Sequence, residues 1–247
     1  LPDEGERSRL VQAVAETAIL GTYCYDKYKS ERKPWKVKSI IIADITEKDA
    51  KELKKAIDLG LLFGDLGART RELVNTPPDI CTPDYFAKHA LAIGKEFDFT
   101  VTVYDEKQLK AMNMQGILHV GSGGANPPRL VVASYKNGKG KSIAYVGKGV
   151  CFDSGGLDIK PAAGMDTMKL DKAGACAMLH VLAGCAQLKL KGTFTAYMPL
   201  VENMPGSAAY KPGDIIVTRS KKTIEVLNTD AEGRVILSDA LFYAAEQ

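Results

Sequence analysis

From residue 83 onward, apolar residues alternate between the spacing of a helix and the spacing of a strand, and this constrains the fold most. Thr82-Pro83-Asp84 has an N-cap hydroxyl followed by proline at the first helical position, so a helix is expected to start there. Strands are expected over Phe99–Tyr104, Ile117–Val120, Arg129–Tyr135, Ser142–Val146, Thr193–Leu200, Ile215–Thr218 and Thr223–Leu227. Helices are expected over Glu106–Met112, Asp171–Gln187 and Ala231–Gln247. A helix buries a stripe and a strand buries a face, so such a chain folds as α/β layers around a mixed sheet.

The N-terminal third is simpler. Residues 6–29 carry Leu10, Val11, Val14, Ala15 and Ala18 at helical spacing, and Val37–Ala43 reads as a strand. Glu47–Val74 is a long helical pattern with Leu53, Ile57, Leu61, Leu62 and Leu66. Asn75-Thr76-Pro77-Pro78-Asp79 ends it, because two prolines cannot continue a helix, and a domain boundary is placed there. The chain begins with Leu1, and its last helix lacks a Gly or Asn C-cap, so it reads as part of a longer chain.

Composition excludes several classes. The net charge of +3 argues against a nucleic-acid or anionic-membrane partner. No apolar run reaches the roughly 18–20 residues of a spanning helix, and LPDEGERSRL is too charged for a secretory core. Cys24, Cys81, Cys151, Cys176 and Cys185 are scattered and form no CxxC, which suits a reducing, cytoplasmic compartment. A phosphate loop fails because Tyr135 stands where its first glycine is needed, and neither GxSxG nor HExxH occurs. His89, His119 and His180 are dispersed among apolar neighbours and read as structural.

Two segments concentrate ionisable residues among small ones, and each follows an expected strand. They are VGKGVCFDSGGLDIKP (146–161), continuing to Asp171, and NTDAEGR (228–234). Sites in α/β sheets form beyond the carboxyl ends of strands, where Lys148, Asp153, Asp230 and Glu232 could converge. Asp230 and Glu232, two apart, would point to one side of an extended segment, and Asp171 would enter from the start of a helix. Four crowded carboxylates drive some of their number to protonate unless cations offset them. Oxygen ligands suit Mg²⁺, Mn²⁺ or Zn²⁺, and two such ions can share carboxylates and activate a water. A lysine joining them must be neutral, while Lys160 and Arg234 would stay charged and face a developing oxyanion. A structural reading competes. Thr229 and Glu232 form a capping-box pattern, Asp171 suits a helix start, and Lys148, Lys160 and Lys169 could be solvated. The residues alone do not separate a peptidase from a phosphatase.

Together these segments, with PLVENMPGSAAYKPGDI (199–215), closely resemble the leucyl aminopeptidase (cytosol aminopeptidase) family over about residues 66–247. The resemblance implies a three-layer catalytic domain, a mixed sheet with helices on both faces, preceded by the tail of a smaller α/β domain. It divides the chain into that tail (1–46), a connecting helix (47–76) and a catalytic peptidase domain (77–247) incomplete at its C-terminus. It implies a metallo-exopeptidase that removes leucine and other apolar N-terminal residues from peptides, through a water bridging two divalent metals. Mn²⁺ or Zn²⁺ is expected, with Mg²⁺ or Co²⁺ as substitutes. Lys148, Asp153, Asp171 and Glu232 match the ligands of the tighter metal, and Asp153, Asp230 and Glu232 those of the exchangeable one. Lys160 and Arg234 match the catalytic pair, the arginine holding a bicarbonate. Lys160, Met168 and Asn228 match substrate-binding positions, and Met168 offers an adaptable apolar wall.

The family assembles as a homo-oligomer, a hexamer. One departure is Lys172-Ala173-Gly174, where the family more usually has a small, apolar start after the aspartate; the added positive charge near the ligand is tolerable if Lys172 points outward. The alternative class is a non-catalytic fragment or pseudo-enzyme acting as an oligomeric or DNA-binding module. The presence of every expected ligand favours the enzyme, and the mild charge favours no nucleic acid.

Overall fold

The computed structural model describes residues 4–32, 37–41, 43 and 47–247. The chain divides into two compact units, residues 1–72 and 73–247.

The first unit holds helix α1 (Glu4–Thr22) and most of α2 (Glu47–Asn75). Gly60 and Gly64 let the helices approach. A Cβ on Gly60 would lie 2.3 Å from the carbonyl oxygen of Gln12, and one on Gly64 2.9 Å from Cβ of Ile19. Ala15, Leu53, Ala56 and Leu66 are buried, and Arg71 donates to the Leu20 carbonyl at 2.9 Å. The helix expected to run to residue 29 stops at Thr22. The strand expected over 37–43 does not form in residues 37–41 and 43, and Ile42 lies outside the described residues. A strand needs a neighbour for its backbone groups, and no strand occurs among the described residues of this unit.

The second unit follows α2 with α3 (Pro83–Phe97), β1 (Thr100–Tyr104), α4 (Glu106–Ala111), α5 (Gln115–Gly121), β2 (Arg129–Asn137), β3 (Lys141–Val146) and β4 (Gly149–Asp153). Next come a short α6 (Ala162–Met165), a 3₁₀ turn over Met168–Lys172, α7 (Ala173–Gln187) and β5 (Gly192–Asn203). The hairpin β6 (Ile215–Val217) and β7 (Thr223–Glu225), a 3₁₀ turn over Thr229–Ala231 and α8 (Glu232–Ala245) complete it. Thr82 caps α3, its hydroxyl accepting from the Tyr85 amide, with Pro83 opening the helix.

The sheet is mixed. β1 and β5 flank β2, both antiparallel to it. The other edge of β5 is shared by two parallel strands. β3 pairs with residues 192–197, and β4 pairs with residues 200–203. Phe86, Ala90 and Ile93 of α3 and Leu179, Leu182 and Ala183 of α7 are buried, and these helices pack on β2 and β5. Helices α5 and α8 pack on each other and on β5, in a core containing Ile117, Val120, Leu130, Val150, Val201, Val235 and Ile236. The helices thus flank the mixed sheet, as the sequence pattern implied.

Two local readings are corrected. Residues 117–120, expected as a strand, belong to helix α5. A four-residue apolar run has no period of its own, and the deciding group lies elsewhere in the chain. Asp239 of α8, fully buried, accepts from the amides of Gly116 (2.6 Å) and Ile117 (3.3 Å) at the start of α5, and from Arg219 (2.8 Å). Strand β4, which the sequence pattern did not separate from its glycine-rich surroundings, carries the chain to Asp153. Replacing Asp239 with Ala strands three backbone donors, so urea denaturation of Asp239→Ala is expected to show a loss of about 3 kcal/mol. A loss well under 1 kcal/mol would show that the carboxylate is dispensable.

Candidate metal centre

The site grows from the shared edge of β5. Between β3 and β4 the pairing lapses at Gly147 and Lys148, and the Lys148 side chain leaves the sheet there. Asp153, the last residue of β4, lies opposite Asn203, the last residue of β5. Asp171 comes from the 3₁₀ turn before α7, Asp230 from the 3₁₀ turn before α8, and Glu232 from the first position of α8.

These elements bring the charges together. One carboxylate oxygen from each of Asp153, Asp171 and Glu232 lies within 4.8 Å of the others. Lys148 Nζ is 2.7 Å from Asp171 and 2.6 Å from Glu232 Oε1. Lys160 Nζ is 3.0 Å from Asp153 Oδ2 and also ion-pairs with Asp230. Two ammonium groups thus lie among four acids.

Electrostatics reflect that crowding. Burial pushes the Glu232 carboxyl up to about 7; the Lys148 ammonium opposes this, and the Asp153 charge adds to it. Asp171 is raised by burial, against the pull of Lys148. Burial works to lower both lysines, but hydrogen bonds to their acids outweigh it and hold Lys148 and Lys160 above the usual lysine range.

The site's small residues provide clearance, and its polar ones tie loops together. Thr229 donates its hydroxyl to the Gly155 carbonyl at 2.6 Å and accepts the Asp158 amide at 2.9 Å, while its own amide donates to Asp158 Oδ2 at 2.6 Å. The capping box expected of Thr229 and Glu232 is therefore absent. α8 has no side-chain cap, and Glu232 turns to Lys148 instead. Asp171 likewise caps nothing, since Lys172 holds the N-cap position of α7. Asp230 and Glu232 do not share one side of an extended segment. They lie where a 3₁₀ turn passes into α8, which sends Asp230 to Lys160 and Glu232 to Lys148.

The remaining expected site residues lie more loosely. Arg234 is exposed and makes no ion pair among the described residues. Met168 is half-buried at the start of its turn, and Asn228 caps the next one, its Oδ1 accepting the Asp230 amide at 2.7 Å. Lys172 does not point outward. It is fully buried, and its ammonium donates to the carbonyls of Lys169 (2.6 Å) and Thr76 (3.2 Å), which replace its water. Asn203, Asp158 and Tyr210 escaped the sequence reading. The only signal was the polar pair Glu202-Asn203 closing an apolar strand.

The donors suit a hard divalent cation. All but Lys148 Nζ are carboxylate oxygens. Glu232 is 1% exposed, and its Oε2 has no hydrogen-bond partner among the described residues. An orphaned buried carboxylate oxygen beside two further acids is an acceptor waiting for a cation.

Sequence comparison agrees with this architecture. The family described as "Cytosol aminopeptidase family, catalytic domain" matches residues 68–247. A probable cytosol aminopeptidase of Aquifex aeolicus is 43% identical over 251 residues, covering 100% of this chain and 50% of the relative. Another, of Pseudomonas fluorescens, is 43% identical over 94% of this chain and 47% of its own length. Among solved structures, the bottromycin maturation enzyme BotP in complex with Mn superposes with a TM-score of 0.87 at 35% identity, covering 97% of this chain and 50% of that one. Cytosol aminopeptidase from Coxiella burnetii gives 0.85 at 34%, covering 100% and 50%. The chain spans about half the length of the relatives it matches. With fold, motifs and matched length in agreement, the chain belongs to the cytosol aminopeptidase family.

Proposed function

We propose that the protein is a metal-dependent aminopeptidase, with Lys148, Asp153, Asp171, Asp230 and Glu232 as ligands of two divalent cations, Mn²⁺ or Zn²⁺. The observation that carries this reading is the buried Glu232 carboxylate, with its unpartnered Oε2, set among Asp153, Asp171 and Lys148. Divalent cations in such a site supply Lewis acidity and a water nucleophile near neutral pH. Asp153, grouped with Asp171 and Glu232 and paired through Lys160 with Asp230, would serve both ions, and Glu232 would be the second shared ligand. Lys148 must give up its proton to offer a nitrogen lone pair. Lys160 leaves its two carboxylates and donates to the scissile carbonyl oxygen as negative charge gathers there. Arg234, exposed two residues beyond Glu232, binds an anion such as bicarbonate. Met168 lines an apolar pocket suited to leucine, and Asn228 borders it. The specificity for chain ends follows from a free α-amine acting as a neutral nitrogen donor.

This reading also takes residues 1–46 as the tail of an N-terminal domain, 47–76 as a connecting helix and 77–247 as part of the catalytic domain. Family likeness supports these assignments, a hexameric assembly and a cytoplasmic site of action. The presence of all five ligand types and both catalytic types favours an enzyme over a pseudo-enzyme or DNA-binding module.

Leucine-anilide hydrolysis is expected to need Mn²⁺ or Zn²⁺, to vanish with chelator and to return on re-addition. N-acetylated leucine-anilide should not react. Lys160→Ala is expected to lower kcat about 10²–10³-fold, and Asp230→Ala to abolish Mn²⁺ stimulation. Turnover that survives chelation, or is indifferent to Asp230→Ala, would refute the assignment.

Acidity supplies a second check. A carboxyl raised to about 7 in the fold but near 4.5 when unfolded favours the native state at low pH. Its contribution then falls as pH rises from 4.5 to 7, by at most about 1.4 kcal/mol per pH unit. Without metal, urea denaturation should show this fall in the difference between wild type and Glu232→Gln. With Mn²⁺, affinity should instead strengthen through the same window, as the proton leaves. Flat profiles in both experiments would contradict the shift.

A further inference from the structure

We infer that Asn203 is a positioning residue whose side-chain amide sets the relative placement of the two ligand-bearing segments. The inference rests on the metal-site reading above. Asn203 is fully buried at the carboxyl end of β5. Its Nδ2 donates one hydrogen to Asp153 Oδ1 at 2.8 Å and the other to the Thr229 carbonyl at 3.0 Å. Both partners are acceptors, which fixes the orientation of the amide. One bond holds a carboxylate of the first segment. The other holds the backbone of the second, one residue before Asp230 and three before Glu232.

The bonds act on Asp153 in a defined way. Its Oδ1 also accepts the Gly155 amide at 2.9 Å, so two donors from the scaffold occupy that oxygen. Oδ2 is left toward Lys160. The Thr229 carbonyl is similarly filled, by Asn203 and by the Tyr210 hydroxyl at 2.6 Å. The Asn203 backbone carbonyl accepts Ser154 through both amide (3.0 Å) and hydroxyl (2.8 Å), so the residue is itself held.

Stability alone does not explain an asparagine here. Its Oδ1 is buried without a partner, beside Gly156, where a Cβ would approach it to 2.8 Å. An unsatisfied buried acceptor is costly, and a residue chosen only for packing would not carry one. Its two-hydrogen donor is what the site uses. Outer groups that orient metal ligands shape metal affinity as the ligands do.

The test is Mn²⁺ binding, followed by the free-ion paramagnetic resonance signal, on wild type, Asn203→Asp and Asn203→Ala. Asn203→Asp keeps the shape but turns an acceptor toward two acceptors. Both variants are expected to weaken Mn²⁺ binding about 10–100-fold. At saturating Mn²⁺, kcat should fall while KM for leucine-anilide stays within about twofold, because Asn203 touches ligands and not substrate. Asp239→Ala, destabilised far along α8, is the control and should bind Mn²⁺ like wild type.

Wild-type affinity in both Asn203 variants, or an equal loss in Asp239→Ala, overturns the inference. No Mn²⁺ binding by wild type overturns instead the metal-site reading. Should neither variant fold, the wild-type Asn203 amide decides. Its ¹⁵N-attached hydrogens must exchange slowly and shift when Zn²⁺ is added, and rapid exchange or an unmoved signal counts against the role.

Discussion

Strand β5 divides one edge between two parallel neighbours, and the site depends on that division. β3 pairs up to Tyr197, the ladder lapses, and β4 resumes at Leu200. A lapse in a ladder usually leaves backbone groups to be satisfied elsewhere. Here the Gly147 amide still donates to Tyr197 at 3.0 Å, and the Lys148 carbonyl accepts the Ala175 amide at 2.8 Å. The break thus joins the sheet to the start of α7, next to the turn carrying Asp171. Lys148 is released from the alternation of a strand and free to enter the acid cluster. Resuming the ladder for a few residues then puts Asp153 beside Asn203.

Such a cluster makes poor sense as a device for stability alone. Breaking a buried ion pair is costly, but replacing one with packed apolar side chains is often neutral or favourable. A chain able to bury Val150, Val201 and Val235 nearby could have filled this volume with similar residues. It instead buries Glu232 at a cost visible in its raised pKa. Local departures from good folding chemistry gather where a protein does chemistry. The closed network around Thr229 has the opposite character, since its groups are paired repeatedly and link the segments at residues 153–160 and 228–232. Rigidity in the outer groups and frustration among the charges are complementary. The first keeps the second from relaxing by moving apart.

How far the sequence disclosed this structure varied with the range of the deciding interaction. The α3 start was legible because Thr82 and Pro83 act within one turn. The convergence of the two charged segments was legible because each follows a strand, although the second follows β7 of the separate β6–β7 hairpin and not a strand of the main sheet. The identity of 117–120 was not, since Asp239, more than a hundred residues later, caps that helix. Spacing misled at Asp230 and Glu232 because a two-residue separation means one thing in a strand and another in a helical turn. The capping-box pattern misled because Thr229 found better partners in Gly155 and Asp158 across the fold. Lys172 misled through the sound rule that ammonium groups stay in water. Two backbone carbonyls replaced the water, and one of them, Thr76, lies 96 residues away.

The glycines that surround Lys148 have a steric explanation in the close approach of chain segments around it. A Cβ on Gly233 would sit 2.6 Å from Lys148 Cε, inside the path of the side chain. One on Gly174 would reach 2.9 Å from the Lys148 amide nitrogen, and one on Gly147 would strike the Gly174 carbonyl oxygen at 2.6 Å. A Cβ on Gly149 would lie 2.5 Å from the Pro199 carbonyl oxygen. Three separate stretches of chain, at 147–149, 174 and 233, therefore give up side chains around one lysine. Alanine is the better helix former, by about 1 kcal/mol over glycine. Glycine at 233, inside α8, and at 174, inside α7, thus runs against local preference. What the glycines provide is room for a lysine to lie against backbone and reach Asp171 and Glu232 together. The same requirement explains why glycine follows the glutamate in the second motif, while close backbone approaches to α7 and β5 explain the glycines on either side of the lysine in the first.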